Sequence, residues 1–254
     1  MVGAAEKAAR TLTRDFGEIE QLQVSQKGTS DFVTLADTRT ERILKRELTK
    51  ARPGYNFLME ESGYSLGSDS NRTWIIDPID GTTNFIHGIP HFSISIALKE
   101  YEELVAALVY NPVSDELYLA EKGQGATCNN HRLRVSGRKY LSESVIATGI
   151  PHNGRGNHPK YIKELSDVMS SAAGIRRFGS ASLDLAYVAA GRVDAFWETG
   201  LKSWDVAAGI LLVKEAGGFV SEIDGNKNEL SGASILAGNP HIHKSLGNLL
   251  NKNS

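Results

Sequence analysis

Residues 72–88 read RTWIIDPIDGTTNFIHG, an apolar run that ends in two aspartates three positions apart. The composition of residues 73–76 predicts a strand, and Pro78, which fixes φ and has no amide proton, is expected to end it. Asp77 and Asp80 would then lie close together and repel each other, so a cation has to offset their charge. Asp-Pro and Asp-Gly are also common turn dipeptides, so the pair alone leaves a plain turn as an alternative.

Three further acidic positions fit the same chemistry: Asp37 in DFVTLAD, Glu60 in MEESG and Asp205 in WDVAAG. Hard divalent cations such as Mg2+ take oxygen ligands and usually need several carboxylates. Two such ions can clamp an in-line displacement at phosphorus, and a carboxylate shared between them would resolve the repulsion in the aspartate pair. Two of these positions also have a structural alternative, since Glu60 could be a hydrated loop residue and Asp205 a helix cap.

The residues after the aspartate pair favour a phosphate ligand. If TTNFIHG opens a helical turn, the backbone amides of Gly81 and Thr82 lie at its positive end and can bind phosphate oxygens. The Ile79 carbonyl is expected to turn toward a cation. Acidic side chains would then hold metal while neighbouring amides hold phosphate.

Composition excludes several classes of protein. The chain has 254 residues, of which 41% are hydrophobic and 23% charged, and a formal net charge of −2. That balance gives no basic surface for direct nucleic-acid binding. The single cysteine, Cys128, cannot form an intramolecular disulfide. The first 20 residues lack the apolar core of a signal peptide, and no apolar run is long enough for a membrane helix, so we expect a cytoplasmic protein.

Periodicity divides the chain into two halves. Residues 1–22 and 38–51 have helical spacing. Short runs with strand composition, separated by turn-forming segments, lie at residues 73–76, 91–99, 104–110 and 116–121. From about residue 142 strand-like and helical segments alternate, which indicates an α/β layer. We therefore predict an α/β protein with layered α+β character, divided into residues 1–140, which carry EESG and DPIDGTTNF, and residues 141–254, which carry WDVAAG.

In combination, EESG, WIIDPIDGTTNFIHGIPHFSISIAL and WDVAAGILLVKEAGG resemble the signatures of the inositol monophosphatase family, in order and with suitable separations. The stretch RRFGSASLDLAYVAAGRVDAFWETGLKSWD is most similar to the bacterial extragenic-suppressor type. The resemblance covers most of the chain. It implies a helix-sheet-helix-sheet-helix sandwich of the inositol monophosphatase/fructose bisphosphatase type, usually a homodimer, with Mg2+-dependent, lithium-sensitive phosphomonoesterase activity.

The resemblance also implies roles for individual residues. Glu60, Asp77 and the Ile79 carbonyl match the ligands of a first metal, while Asp77, Asp80 and Asp205 match those of a second. A third, more weakly bound ion would have Glu60 as its protein ligand, which gives about two to three Mg2+ ions per site. The catalytic residues would be Glu60, Thr82 and Asp37, with Thr82 oriented by Asp37 to position the attacking water. The residues implied for substrate binding are Asp80, Gly81, Thr82, Ala181, Glu198 and Asp205.

The expected activity is hydrolysis of a small phosphate monoester, myo-inositol monophosphate, by water attack without a covalent intermediate. Related phosphatases acting on histidinol phosphate, a sugar bisphosphate or NADP remain alternatives. A different class of function also remains open, because relatives of the extragenic-suppressor type take part in bacterial transcription complexes. A net charge of −2 favours recruitment through a protein partner over direct RNA binding.

Overall fold

The computed structural model describes residues 1–18, 24–27, 31–152, 154, 156–227, 230 and 233–252. These residues form seven α-helices and fifteen strands. The helices are α1 Val2–Gly17, α2 Leu35–Ala51, α3 Thr82–Ile86, α4 His158–Met169, α5 Ala181–Ala189, α6 Ser203–Glu215 and α7 Pro240–Asn251. The strands are β1 Val24–Lys27, β2 Asp31–Thr34, β3 Tyr55–Met59, β4 Gly63–Ser65, β5 Asp69–Asp80, β6 Ser93–Glu100, β7 Glu103–Asn111, β8 Glu116–Glu121, β9 Gly125–Cys128, β10 His131–Arg132, β11 Val145–Thr148, β12 Gly174–Arg176, β13 Ala195–Thr199, β14 Phe219–Ser221 and β15 Ser234–Gly238.

Two large sheets organise the chain. The first has eight strands in the order β10-β9-β8-β7-β6-β5-β3-β4. Its pairs are antiparallel, except that β3 runs parallel to β5. The second has five strands in the order β12-β11-β13-β15-β14, with β11 parallel to both β12 and β13. Strands β1 and β2 pair with each other as a separate antiparallel ribbon.

Successive side chains of each strand point to opposite faces of its sheet, and helices pack against both faces. Trp74 and Ile76 of β5 pack in one hydrophobic cluster with α1 and α2. Ile75, between them, faces the opposite cluster, which contains α5, α6 and Phe196 of the second sheet. Trp197, next to Phe196, packs on the far face with α4 and α7. The layers are therefore helix, sheet, helix, sheet, helix, and the predicted fold class is confirmed.

The central layer explains an unusual helix. Residues 206–213 of α6 are all buried, because this helix lies between two sheets and has no polar face. A Cβ built on Gly209 would lie 2.4 Å from the Cβ of Leu185, so α5 and α6 approach too closely for a larger residue. No helix in the described part of the chain is both long and apolar enough to span a bilayer.

The two sheets lie on either side of the predicted boundary near residue 140, in residues 55–132 and 145–238. One hydrophobic cluster nevertheless joins them through α5 and α6. The halves therefore share a core, and the division into residues 1–140 and 141–254 stays a prediction.

The prediction that Pro78 ends its strand is wrong. Strand β5 continues to Asp80 through an irregular register in which Asp77 pairs with Ser95 and Asp80 pairs with Ser93. Three steps along β5 therefore face two steps along β6, which is a bulge of one extra residue, and a bulge tolerates the missing amide proton of proline. In a regular strand residues three apart lie on opposite faces, so this bulge brings Asp77 and Asp80 to the same face.

Other boundaries differ by a few residues. The first helix was predicted to reach residue 22 but ends at Gly17, and residues 19–23 lie outside the described part of the chain. The second helix begins at Leu35, three residues earlier than predicted, which places Asp37 in its first turn. The short strands β4, β9 and β10 were not predicted.

Candidate active site

Five acidic residues from four separate segments of the chain meet where the central helices contact the end of β5. Asp37 lies in the first turn of α2, Glu60 in the turn after β3, Asp77 and Asp80 on β5, and Asp205 in the first turn of α6. Their charges interact: Glu60 is affected by Asp37, Asp77 and Asp205, and Asp77 by all four of the others. The sequence prediction that these carboxylates belong together agrees with this geometry.

Strand pairing accounts for the placement of Glu60 beside Asp77. Met59 lies opposite Ile76 in the parallel β3–β5 pair, and the amide of Glu60 donates to the carbonyl of Ile76 at 3.3 Å. Asp77 lies two residues after Ile75, so both face the central helix layer, where α6 presents Asp205.

A cleft of about 670 Å3 opens beside these residues. The predicted site residues that line it are Glu60, Gly81, Thr82, Glu198 and Asp205. The other predicted residues are buried behind the cleft wall: Asp37, Asp77, Ile79, Asp80 and Ala181 are 1%, 2%, 1%, 8% and 6% exposed. Arg177, Lys202 and Gly149 also line the cleft.

Burial raises the pKa of three carboxyl groups, and repulsion from neighbouring carboxylates adds to the effect in two of them. The pKa of Glu60 rises to about 8, first because the group is buried and then because Asp37 and Asp205 repel its charge. Burial also raises the pKa of Asp77 well above its ordinary value, with repulsion from Glu60 and Asp80 added. The pKa of Asp80 is raised by burial as well. By itself the cluster therefore binds protons tightly, and a cation would stabilise its ionised form.

The donor set fits a hard divalent cation. Within the described residues, no Lys or Arg forms a salt bridge with Glu60, Asp77 or Asp80. Carboxylate and carbonyl oxygens are the ligands that Mg2+ prefers. The same described residues contain no group of three or more His, Cys, Asp or Glu side chains arranged to hold an ion as they stand. The repelling carboxylates would therefore have to draw together around the ion.

The backbone between Asp77 and Thr82 is tightly fixed. The amide of Ile79 donates to Asp77 Oδ1 at 3.0 Å, and the hydroxyl of Thr82 donates to the Ile79 carbonyl at 2.9 Å. Gly81 has a φ of 97° and precedes α3, a conformation that favours glycine. A Cβ there would also lie 3.1 Å from the carbonyl oxygen of His91. The loop therefore holds Gly81 and Thr82, which both line the cleft, in a fixed conformation.

Two serines missed by sequence reasoning, Ser180 and Ser182, hold Asp80, and a third, Ser93, contacts one of them. Its Oδ2 accepts hydrogen bonds from Ser180 Oγ at 2.6 Å, from Ser182 Oγ at 2.6 Å and from the Ser182 amide at 2.7 Å. Ser93 Oγ, on the neighbouring strand, lies 2.7 Å from Ser182 Oγ. All three serines are fully buried or nearly so. The backbone amide of Ala181 also contacts Asp80, so the start of α5 fixes the orientation of this carboxylate.

Asp205 has a structural role in addition to its place in the cluster. Its Oδ2 accepts the backbone amide of Lys202 at 2.6 Å, which caps the first turn of α6. The cap alternative for this residue is therefore observed, and it does not conflict with a ligand role, because a carboxylate has several acceptor sites.

Glu198, at the end of β13, completes the acidic side of the cleft. Burial raises its pKa to about 8, and repulsion from Asp205 adds to this, while the positive charge of Arg177 lowers it.

A model of the inositol monophosphatase family matches residues 1–254. The chain belongs to the inositol monophosphatase family. It is therefore an enzyme, a phosphatase, as the motifs predicted. Members of the inositol monophosphatase family are in general metal-dependent, which agrees with the carboxylate cluster.

Individual relatives match over nearly their whole length. An inositol-1-monophosphatase of Mesorhizobium japonicum is 57% identical over 246 residues, which cover 97% of this chain and 92% of that protein. The Nus factor SuhB of Escherichia coli is 44% identical over 245 residues, which cover 96% of this chain and 92% of that protein. The crystal structure of the extragenic suppressor protein SuhB from Bartonella henselae has a TM-score of 0.97 at 54% identity, covering 99% of this chain and 97% of that one.

Proposed function

We propose that this protein hydrolyses myo-inositol monophosphate to inositol and phosphate, with Mg2+ as cofactor at about two to three ions per site. The observation that carries the proposal is the meeting of Asp37, Glu60, Asp77, Asp80 and Asp205 beside one cleft in a member of this family. The relative named inositol-1-monophosphatase, 57% identical to this chain, supports the choice of substrate. Inhibition by lithium is part of the same proposal.

The ions would be held by oxygen donors alone. Glu60, Asp77 and the Ile79 carbonyl form the first proposed set, and Asp77, Asp80 and Asp205 form the second. When bound, Mg2+ neutralises phosphoryl charge and makes a water molecule acidic enough to serve as nucleophile near neutral pH. The bulge in β5 supports a shared role for Asp77, because it brings Asp77 and Asp80 to one face of the sheet.

Thr82 and Asp37 are proposed to position the attacking water and accept its proton. The Thr82 hydroxyl lies at the cleft, while Asp37 is 1% exposed behind it. In the structure the Thr82 proton is donated to the Ile79 carbonyl. In the proposed relay, the Thr82 hydroxyl takes a proton from the attacking water and gives its own proton to Asp37. Its O–H bond would have to point toward Asp37 for this transfer, so a rotation of the Thr82 side chain is part of the proposed cycle.

Substrate would be held by both sides of the cleft. The amides of Gly81 and Thr82 are proposed to bind phosphate oxygens, which is supported by the position of both residues in the cleft lining. Glu198 and Asp205, with Asp80 and the Ala181 amide, are proposed to bind substrate hydroxyls. An acidic wall suits a polyol, because carboxylates accept hydrogen bonds from hydroxyl groups.

Phosphate release tests this proposal. Wild-type protein would be assayed on myo-inositol 1-phosphate, histidinol phosphate, fructose 1,6-bisphosphate and NADP, each with Mg2+, with EDTA, and with Mg2+ plus Li+. The expected result is Mg2+-dependent, lithium-sensitive turnover with the highest kcat/KM on the inositol ester. A higher kcat/KM on one of the other esters would retain the phosphatase mechanism and replace the substrate. No Mg2+-dependent turnover of any ester by folded protein would refute the proposal.

A second function is favoured by the relatives named Nus factor SuhB, which are 44% identical to this chain. We propose that this chain forms a homodimer in the cytoplasm and also binds a protein of the transcription machinery. A pull-down with purified transcription factors would compare wild type with Asp77→Asn. Retention of a partner by both proteins is expected, since the site of hydrolysis would not be the binding surface. Retention of no factor by either would refute this second function.

A further inference from the structure

The carboxyl group of Glu198 lies where a side chain of residue 149 would be. A Cβ built on Gly149 would lie 1.9 Å from both Cδ and Oε1 of Glu198 and 2.2 Å from its Oε2. Carbon atoms in ordinary contact lie about 3.5–4.0 Å apart, so no larger residue at position 149 is compatible with this placement of the carboxyl group. Gly149 and Glu198 both line the cleft.

Strand pairing explains the contact. Strands β11 and β13 are parallel neighbours in which Thr148 lies opposite Trp197, so the next residues, Gly149 and Glu198, are adjacent across the sheet. Side chains at adjacent positions of neighbouring strands lie on the same face. The φ of Gly149 is not in the left-handed region, in contrast to that of Gly81. Glycine at position 149 is therefore required by the space that Glu198 takes and not by its backbone conformation.

Charges around Glu198 do not by themselves fix its carboxyl group. Asp205 and Asp80 repel it, and Arg177 attracts it. The hydrogen bonds between described residues include none to the carboxyl oxygens of Glu198, and the described ion pairs include none either, so shape and not a fixed partner decides where the group lies. The gap left by Gly149 is the feature that lets the carboxyl group lie along the cleft wall.

We propose that Gly149 is a positioning residue that determines specificity: its missing side chain admits the Glu198 carboxyl group to the place where it binds a hydroxyl of a polyol phosphate. The proposal rests on the proposed function, because it assumes that Glu198 binds substrate. Gly149 has no part in the chemistry at phosphorus. Its replacement should therefore affect esters with a polyol and esters without one to different extents.

The first test compares two esters. Gly149→Ala is expected to lower kcat/KM on myo-inositol 1-phosphate by about tenfold to a hundredfold, the range for losing a hydrogen bond to a charged group. On phenyl phosphate, which has no hydroxyl to bind, the fall should be several times smaller. Gly137→Ala is the matched control, because nothing lies within 4 Å of a Cβ at that exposed position, and it should change both esters by less than about twofold. An equal fall on both esters for Gly149→Ala would overturn the proposal.

A double-mutant cycle tests whether the effect passes through Glu198. Gly149→Ala in a Glu198→Gln background should lower kcat/KM on the inositol ester much less than it does in the wild-type background. An equally large effect in both backgrounds would overturn the proposal, because Gly149 would then act without Glu198. Thermal unfolding of each variant identifies any loss of folded protein.

The crystal structure of Gly149→Ala gives a readout that needs no activity. The Glu198 carboxyl carbon is expected to move by about 1.5 Å or more, the difference between 1.9 Å and an ordinary contact. An unmoved carboxyl group in that crystal structure would overturn the proposal even if wild-type protein is active on the inositol ester. Conversely, a wild type inactive on every ester refutes the proposed function alone, while the displacement of Glu198 still decides the steric part of this inference.

Discussion

Glu60→Gln tests whether the acidic cluster is a site that needs a cation. Glutamine has nearly the same shape as glutamate and keeps an oxygen acceptor, but it cannot ionise. Glu60 contacts Asp77 through a hydrogen bond and is repelled by Asp37 and Asp205. The substitution therefore removes one ionisable group from the cluster and leaves its packing almost unchanged.

The magnitude follows from the pKa of Glu60. This pKa is about 8 in the fold against an ordinary 4.5. A group whose pKa is raised by folding contributes stability that is full below its unfolded pKa and is lost as pH rises through the folded pKa. At about 1.4 kcal/mol per pH unit, metal-free wild type loses at most about 5 kcal/mol between pH 4.5 and pH 8, and less because Glu60 borders solvent. Glu60→Gln should lose none of this amount, since the group no longer titrates.

Denaturation with and without metal measures the effect. In EDTA at pH 8, the free energy of unfolding of Glu60→Gln is expected to exceed that of wild type by about 2–5 kcal/mol, which raises Tm by roughly 5–15 °C. At pH 4.5 the two proteins should have the same stability. Saturating Mg2+ should make wild type the more stable of the two proteins, because the variant has lost one ligand for the ion and is stabilised less by it. Glu121→Gln, the same change at an exposed strand end, is the control and should follow wild type throughout. Equal stability of Glu60→Gln and wild type in EDTA at pH 8, or equal stabilisation by Mg2+, would refute the reasoning.

Two further substitutions test the surroundings of the site. Ser182→Ala removes a 2.6 Å hydrogen bond to Asp80 and should weaken Mg2+ binding, measured by calorimetry, about tenfold. Ser182→Thr keeps the hydroxyl group and should bind Mg2+ more nearly as wild type does. Unchanged affinity in Ser182→Ala would exclude a role of Ser182 in orienting Asp80 for the ion. Gly209→Ala places a Cβ within 2.4 Å of Leu185 and should lower the free energy of unfolding by about 1–3 kcal/mol. Denaturant unfolding measures this change. A midpoint at or above that of wild type would contradict the close packing of α5 and α6.

Local patterns in the sequence predicted the elements well where each element carries its own signal. Strand β8 has the predicted bounds of residues 116–121, because polar turns flank its alternating apolar residues. Helix α6 is one of the helical segments expected after residue 142, because its apolar run is long and ends at a pair of glycines. The short strands β4 and β10 carry no such signal, since they exist only through pairing with β3 and β9.

The site was predictable as a set of residue types but not as a geometry. The bulge that brings Asp77 and Asp80 to one face depends on the register with β6, which no local pattern fixes. The bond from Ser180 to Asp80 spans 100 positions of sequence, so only the folded chain reveals it. Gly149 could not be recognised either, because the atoms that fill the space beside it belong to Glu198 on another strand.

The most direct test of the metal site is an anomalous difference map from crystals of the wild-type protein soaked in Mn2+, which accepts the same oxygen ligands as Mg2+. Peaks are predicted between the carboxylates of Glu60, Asp77, Asp80 and Asp205, with one of them beside the Ile79 carbonyl. A map without a peak among these residues, at Mn2+ concentrations that support turnover, would contradict the assignment of this cluster as the metal centre.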